Sequence, residues 1–134
     1  MKIARIRIDP DPYEAFRLVQ GYRVGDFLFI SGQAAIDQSG RIVGVGDFNA
    51  QAKQAFSNLD RVLRAGGSSL RNVVKVTIFL TDMAHFEKIV ELRGQWFTAP
   101  YPVDTIVEVR SLYSPDAMIE IEAIAVADSA AERE

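Results

Sequence analysis

The stretch from residue 49 to residue 80 places the tightest constraint on the fold, because two periodicities meet in it across a glycine pair. Over 49–65, Ala52, Ala55, Phe56, Leu59, Val62 and Leu63 share one stripe at helical spacing, with Gln, Lys, Asn, Asp and Arg opposite, which predicts an amphipathic helix. Asp47 or Asn49 can cap its start, and Gly66-Gly67 supplies a left-handed stop. Val73 to Leu80, VVKVTIFL, is β-branched and nearly continuous in apolarity, as expected of a strand covered on much of both faces.

The rest of the chain falls around this pair. Residues 2–8, KIARIRI, alternate imperfectly between Ile and basic residues and predict an edge strand, stopped by Asp9-Pro10-Asp11-Pro12. Two runs, LVQGYRV and FLFISG, flank Gly25-Asp26 and read as a hairpin, and a further turn follows at 37–40. A second helix is expected from Thr81 or Asp82 to about Phe97, packing through Phe86, Ile89, Val90, Trp96 and Phe97. Strands at about 103–110 and 117–127 close the order β, β, β, α, β, α, β, β. This is an α+β domain: a mixed sheet with two helices on one face.

In the last strand, Ile119, Ile121, Ala123 and Ala125 oppose Glu120, Glu122, Ile124 and Val126, so neither face is wholly polar. Helices would cover one face and a second surface, such as another subunit, part of the other. The 134 residues suit one domain with its core over about 18–127 and a frayed tail at 128–134.

Composition removes several chemistries. No cysteine is present, which excludes disulfides, thiolate metal sites and a cysteine nucleophile, and a reduced cytosol fits best. A net charge of −3 lacks the footprint that neutralises phosphates, so nucleic acid is not an expected partner. No apolar run reaches the length of a membrane span. The single histidine, His85, has no second His or Cys to share a metal, and no metal is expected.

Few residues remain that could carry chemistry. Ser31-Gly32 ends an apolar strand, where small residues either let a ligand approach or merely terminate the strand. Glu120 and Glu122 lie on the same face of the last strand, roughly 7 Å apart. They are either a carboxylate pair for acid and base work or a charged face paired with Arg110.

Taken together, Phe27 to Gln33 (FLFISGQ), Ala52 to Gly67 ending in FSNLDRVLRAGG, Val74 to Met83 (VKVTIFLTDM), Val107-Glu108-Val109 and Ile119 to Val126 (IEIEAIAV) resemble the RidA/YjgF family of reactive-intermediate imine deaminases. The match runs over about residues 18–127. The resemblance implies a chorismate-mutase-like fold of the bacillary type, assembled as a homotrimer with the sheets in a central barrel and ligand clefts between subunits. It also implies hydrolysis of an imine or enamine of a 2-keto acid to the keto acid and ammonia without metal or cofactor. A glutamate on the last strand positions the water, and an arginine clamps the substrate carboxylate.

Carried over residue by residue, the glutamate corresponds to Glu120 and the cleft turn to Ser31 and Gly32. The arginine has no counterpart. Where the family has Pro-x-Arg-Ser, this chain reads Pro102-Val103-Asp104-Thr105, a reversal of charge at the substrate-binding point. The family's Gly-Pro-Tyr is Phe16-Arg17-Leu18 here, its second-helix Asn falls at Val90 and its cleft Cys at Ile106. Arg17 and Arg93 are the candidate substitute cations. The expectation is therefore a small-molecule cleft that hydrolyses an imine or enamine other than the usual 2-imino acids. A non-catalytic ligand-binding or chaperone-like trimer is the alternative.

Overall fold

In the computed structural model, which describes residues 1–134, Asp47 stands in extended conformation and its side chain accepts a hydrogen bond from the N–H of Ala50. The helix it caps, α1 (Phe48–Ala65), ends at Gly66, with Gly67 at a φ of 84°. Only a residue without a Cβ takes that angle without strain, so the glycine pair releases the chain toward the sheet. Strands β1 (Ile3–Arg5), β2 (Gly21–Val24), β3 (Phe27–Ala34), β4 (Val73–Leu80), β5 (Val103–Glu108) and β6 (Ile119–Val126) form one sheet in the order β1-β2-β3-β6-β4-β5. Only β4 and β5 run parallel, and the connection between them carries α2 (Phe86–Trp96).

Both helices lie on one face. Ile119, Ile121, Ala123 and Ala125 of β6 are fully or almost fully buried with Phe56, Leu59 and Leu63 of α1. α2 joins the same layer, Trp96 stacking on Phe56 at 5.5 Å between ring centroids. Gln51, buried within α1, donates to the carbonyl of Asp116 at 2.8 Å and accepts from the N–H of Met118 at 2.9 Å. That side chain ties the helix to the start of β6, while pairing with Ala34 and Phe79 places Glu120. On the uncovered face, Tyr22, Phe27 and Phe29 are more than two-fifths exposed, with Phe29 opposite both Tyr22 and Ile124.

Several expectations need correction. The first strand is three residues long rather than seven; Ile6, just past its end, still donates its N–H to the Gly21 carbonyl at 2.9 Å and buries its side chain in the core. Asp82 caps a 3-10 turn over Met83–His85, and α2 begins only at Phe86. Ile89, Leu92, Trp96 and Phe97 carry the packing of this segment, while Phe86 and Val90 are exposed, because the buried stripe of α2 runs through Ile89, Leu92 and Trp96 at helical spacing and Phe86 and Val90 lie to one side of it. His85 stacks flat against Phe48 at 3.9 Å. Arg110 does not pair with Glu120 or Glu122, since β4 separates β5 from β6 and the chain holds no ion pair at Arg110. No helix is long and apolar enough to cross a membrane.

Candidate functional site

Pairing between β3 and β6 shifts register between Ile30 and Gln33, which lifts Ser31 and Gly32 out of the regular ladder. A buried polar chain holds this kink. Asp11 Oδ1 accepts from the N–H of Tyr13 at 3.0 Å and from Gln20 Nε2 at 2.9 Å. The Gln20 carbonyl oxygen accepts from Gln33 Nε2 at 2.9 Å, and the same nitrogen reaches the Ser31 carbonyl at 3.1 Å. Ser31 donates its hydroxyl to the Val19 carbonyl at 2.6 Å, and the Tyr13 hydroxyl donates to the Gly32 carbonyl. With Gln20 and Gln33 each 2% exposed, these bonds fix the kink where desolvation makes an unmade bond costly.

Glu120 meets the kink from the neighbouring strand. A methyl group added to Gly32 would stand 2.7 Å from the carboxyl carbon of Glu120, so only glycine leaves the carboxylate its place. Around the two lies a cavity of about 270 Å³, walled by Tyr13, Phe16, Leu18, Ser31, Ile36 and Tyr113. Phe16 and Tyr113 meet edge to face at 6.0 Å, both more than half exposed, and form its lip. Burial in these walls, and secondarily the negative charge of Glu122, pushes the Glu120 carboxyl above its ordinary range. Burial first, then the charge of Glu120, likewise raises the Tyr113 phenol, and burial raises that of Tyr13. A carboxyl so placed can exchange a proton with a reactant nearer to neutral pH than an exposed one.

Of the residues singled out from sequence, Leu18, Ser31, Gly32 and Glu120 come together here. The others do not. Asp104 and Arg93 sit at the far edge of the sheet, where Arg93 donates from Nε to Asp104 Oδ2 at 2.7 Å and from Nη2 to Oδ1 at 3.0 Å. Asp104 is thus no bare carboxylate, and Arg93 is no free cation: the charge reversal at position 104 is neutralised by a bidentate partner on α2. Ile106 packs on the core edge, Val90 is exposed on α2, and Thr105 alternates to the opposite face of β5, level with Thr77. Arg17 takes a left-handed φ of 60° and is not a wall of the Glu120 cavity; it lines a neighbouring, more open depression that shares Leu18 and Ser31 with it. No three His, Cys, Asp or Glu side chains are grouped to hold a metal ion.

Sequence reasoning missed Tyr13, Ile36 and Tyr113 as cavity walls and reached Phe16 only as part of the Phe16-Arg17-Leu18 counterpart of the family's Gly-Pro-Tyr. They come from a proline-rich turn and from loops far apart in the chain, with no periodicity to mark them. The only available signal is that Tyr13 and Tyr113 are bulky aromatics inside segments otherwise rich in turn formers.

Comparison with known proteins adds a family context. A family model described as Endoribonuclease L-PSP matches residues 9–127. A RutC family protein of Pyrococcus horikoshii is 44% identical over 107 residues, covering 79% of this chain and 83% of that protein. The 2-iminobutanoate/2-iminopropanoate deaminase of Homo sapiens is 35% identical over 107 residues, 80% of this chain and 77% of that one. Among solved structures, a putative endoribonuclease from Thermotoga maritima superposes with a TM-score of 0.85 at 36% identity, covering 96% and 99% of the two chains. RidA from an Antarctic Psychrobacter superposes with a TM-score of 0.84 at 32% identity over 91% and 98%.

Proposed function

The chain belongs to the Endoribonuclease L-PSP family, that of the RidA/YjgF proteins, and from that premise we propose that its Glu120 cavity binds a small molecule and hydrolyses an imine or enamine. One observation carries the reading: a half-buried carboxyl with an elevated pKa, seated against Gly32 in a mostly apolar cavity of metabolite size. Ionised, Glu120 takes a proton from water as the oxygen bonds to the imine carbon. Returned to nitrogen, that proton gives a carbinolamine; Glu120 then takes the carbinolamine hydroxyl proton and passes it to nitrogen as the carbon–oxygen double bond forms and the carbon–nitrogen bond breaks, leaving a carbonyl compound and ammonia. Ser31 and Leu18 border the substrate, and neither a metal nor a cofactor enters this scheme.

The cavity opens at the uncovered sheet face and its rim is exposed, which supports a trimer whose neighbouring subunit completes it. In such a trimer the Val90, Asp104, Thr105 and Ile106 edge of one subunit would face the Glu120 cavity of the next. The pairing of Arg93 with Asp104 leaves no unpaired strand guanidinium there to clamp a carboxylate, so the usual 2-imino acids are poor substrates. The same pairing favours a second reading, a trimer that binds a small ligand without turnover, with Glu120 as a structural carboxylate. An RNA-cleaving role fits the net charge of −3 badly.

The test is ammonia release from 2-iminobutanoate and from imines lacking an α-carboxylate, generated in situ in the presence of a semicarbazide trap. Hydrolysis of the second group that is lost in Glu120→Gln supports the deaminase reading. Ligand-dependent thermal shifts with no turnover of any imine support the binding module instead. Rapid turnover of 2-iminobutanoate would remove the argument from Asp104.

A further inference from the structure

A second cavity of about 270 Å³ opens between α1, the segment 33–38 and the N-terminal arm. It shares Tyr13 and Ile36 with the first but none of Ser31, Gly32 and Glu120. Where the Glu120 cavity is apolar, this one is polar. α1 presents Gln54, Ser57, Asn58 and Arg61 to it, spaced at i, i+3, i+4 and i+7 on one helical face. Asn58 serves the fold, donating to the carbonyls of Ala34 and Ile36 at 2.9 Å each. Arg61 does not: it is half-buried and forms no ion pair within the chain.

The rim carries the opposite charge. Asp37 Oδ1 accepts from the Ser39 hydroxyl at 2.7 Å, the Ser39 N–H at 2.9 Å and the Arg41 N–H at 3.0 Å. These bonds, the Ser39 hydroxyl foremost, hold its carboxyl below the usual range, so it stays ionised. One polar cavity therefore holds a guanidinium and a carboxylate that do not neutralise each other, over a base of two buried glutamine amides, Gln20 and Gln33. A simple anion would satisfy Arg61 and be repelled by Asp37, and a simple cation the reverse. A small molecule with both charges satisfies each end.

We propose that this cavity is a second ligand site, for a small zwitterion of the α-amino acid class, its carboxylate on Arg61 and its ammonium on Asp37. The proposal is independent of any chemistry at Glu120. It is tested by NMR titration of the whole chain with L-glutamine and L-serine, and with propionate and ethylamine as single-charge probes.

Saturable shifts at Ser57, Arg61 and Gln33 are expected with the amino acids, with binding roughly tenfold tighter than that of either single-charge probe, as the loss of one charged contact implies. Arg61→Gln should weaken binding by roughly the same factor, and Asp37→Asn likewise, while Glu120→Gln leaves it unchanged. Because Arg61 makes no ion pair in the fold, its variant carries the test even if Asp37→Asn loosens the turn. Absence of saturable shifts at these residues, amino-acid affinity that survives Arg61→Gln, or propionate binding equal to that of the amino acids would each overturn the proposal.

Discussion

Arg93 on α2 and Asp104 on β5 form a fork-to-carboxylate pair, two parallel hydrogen bonds of 2.7 and 3.0 Å with side chains 23% and 14% exposed. Neither residue has another ion-pair partner, so the helix and the sheet's outermost strand are joined electrostatically at this one point. Asp104→Ala leaves a half-buried guanidinium unpaired and should cost about 1–3 kcal/mol in chemical unfolding. Asp104→Arg adds repulsion to that loss, and the charge swap with Arg93→Asp should recover part of it. A double-mutant cycle with no coupling between the positions would contradict the pairing.

Gly32→Ala should abolish function at the Glu120 cavity with a modest loss of stability. The new methyl meets the carboxyl of Glu120 at 2.7 Å, and that flexible side chain gives way before the backbone does. The expected cost is about 1–3 kcal/mol of overpacking. Retained imine turnover, or unchanged ligand-induced thermal shifts, would show that the carboxylate's position does not matter.

The elevated pKa of Glu120 also has a sign that stability measurements can read. The folded chain holds this proton to higher pH than the unfolded chain does. The stabilisation is thus complete below about pH 4 and is lost as pH rises through the raised value. Glu120→Gln cannot lose a proton there. It should melt above the wild type at pH 7, with the gap closing as the pH is lowered; a gap constant with pH would remove the argument.

The open sheet face predicts its own test. Phe29, 46% exposed and opposite Ile124, lies at the centre of an apolar surface that a solitary subunit would leave wet. Phe29→Glu should convert the proposed trimer to a monomer in sedimentation velocity while keeping the circular dichroism of the fold. A wild type that sediments as a monomer would exclude this route to a completed cavity.

The chain's periodicities by themselves determined the order of strands and helices and the inward set of β6, since burial against one face demands a period of two or 3.6 and leaves it in the residues; local residue types marked the glycine stop and narrowed the cap to Asp47 or Asn49. The motif at Phe27 to Gln33 and the glutamate of the last strand were legible in the same way, as local patterns carrying the family resemblance. The tertiary structure alone decided which of them meet. It set Gly32 against Glu120 through a bulge that alternation does not announce, and brought Tyr13 and Phe16 of one turn against Tyr113, far along the chain, to wall the cavity. It also converted Asp104 from an exposed reversal of charge into half of an ion pair, because Arg93 lies eleven residues away in sequence and within 3 Å in space. Charge in a sequence is a property of one residue, but its effect depends on the partner and the burial that folding supplies.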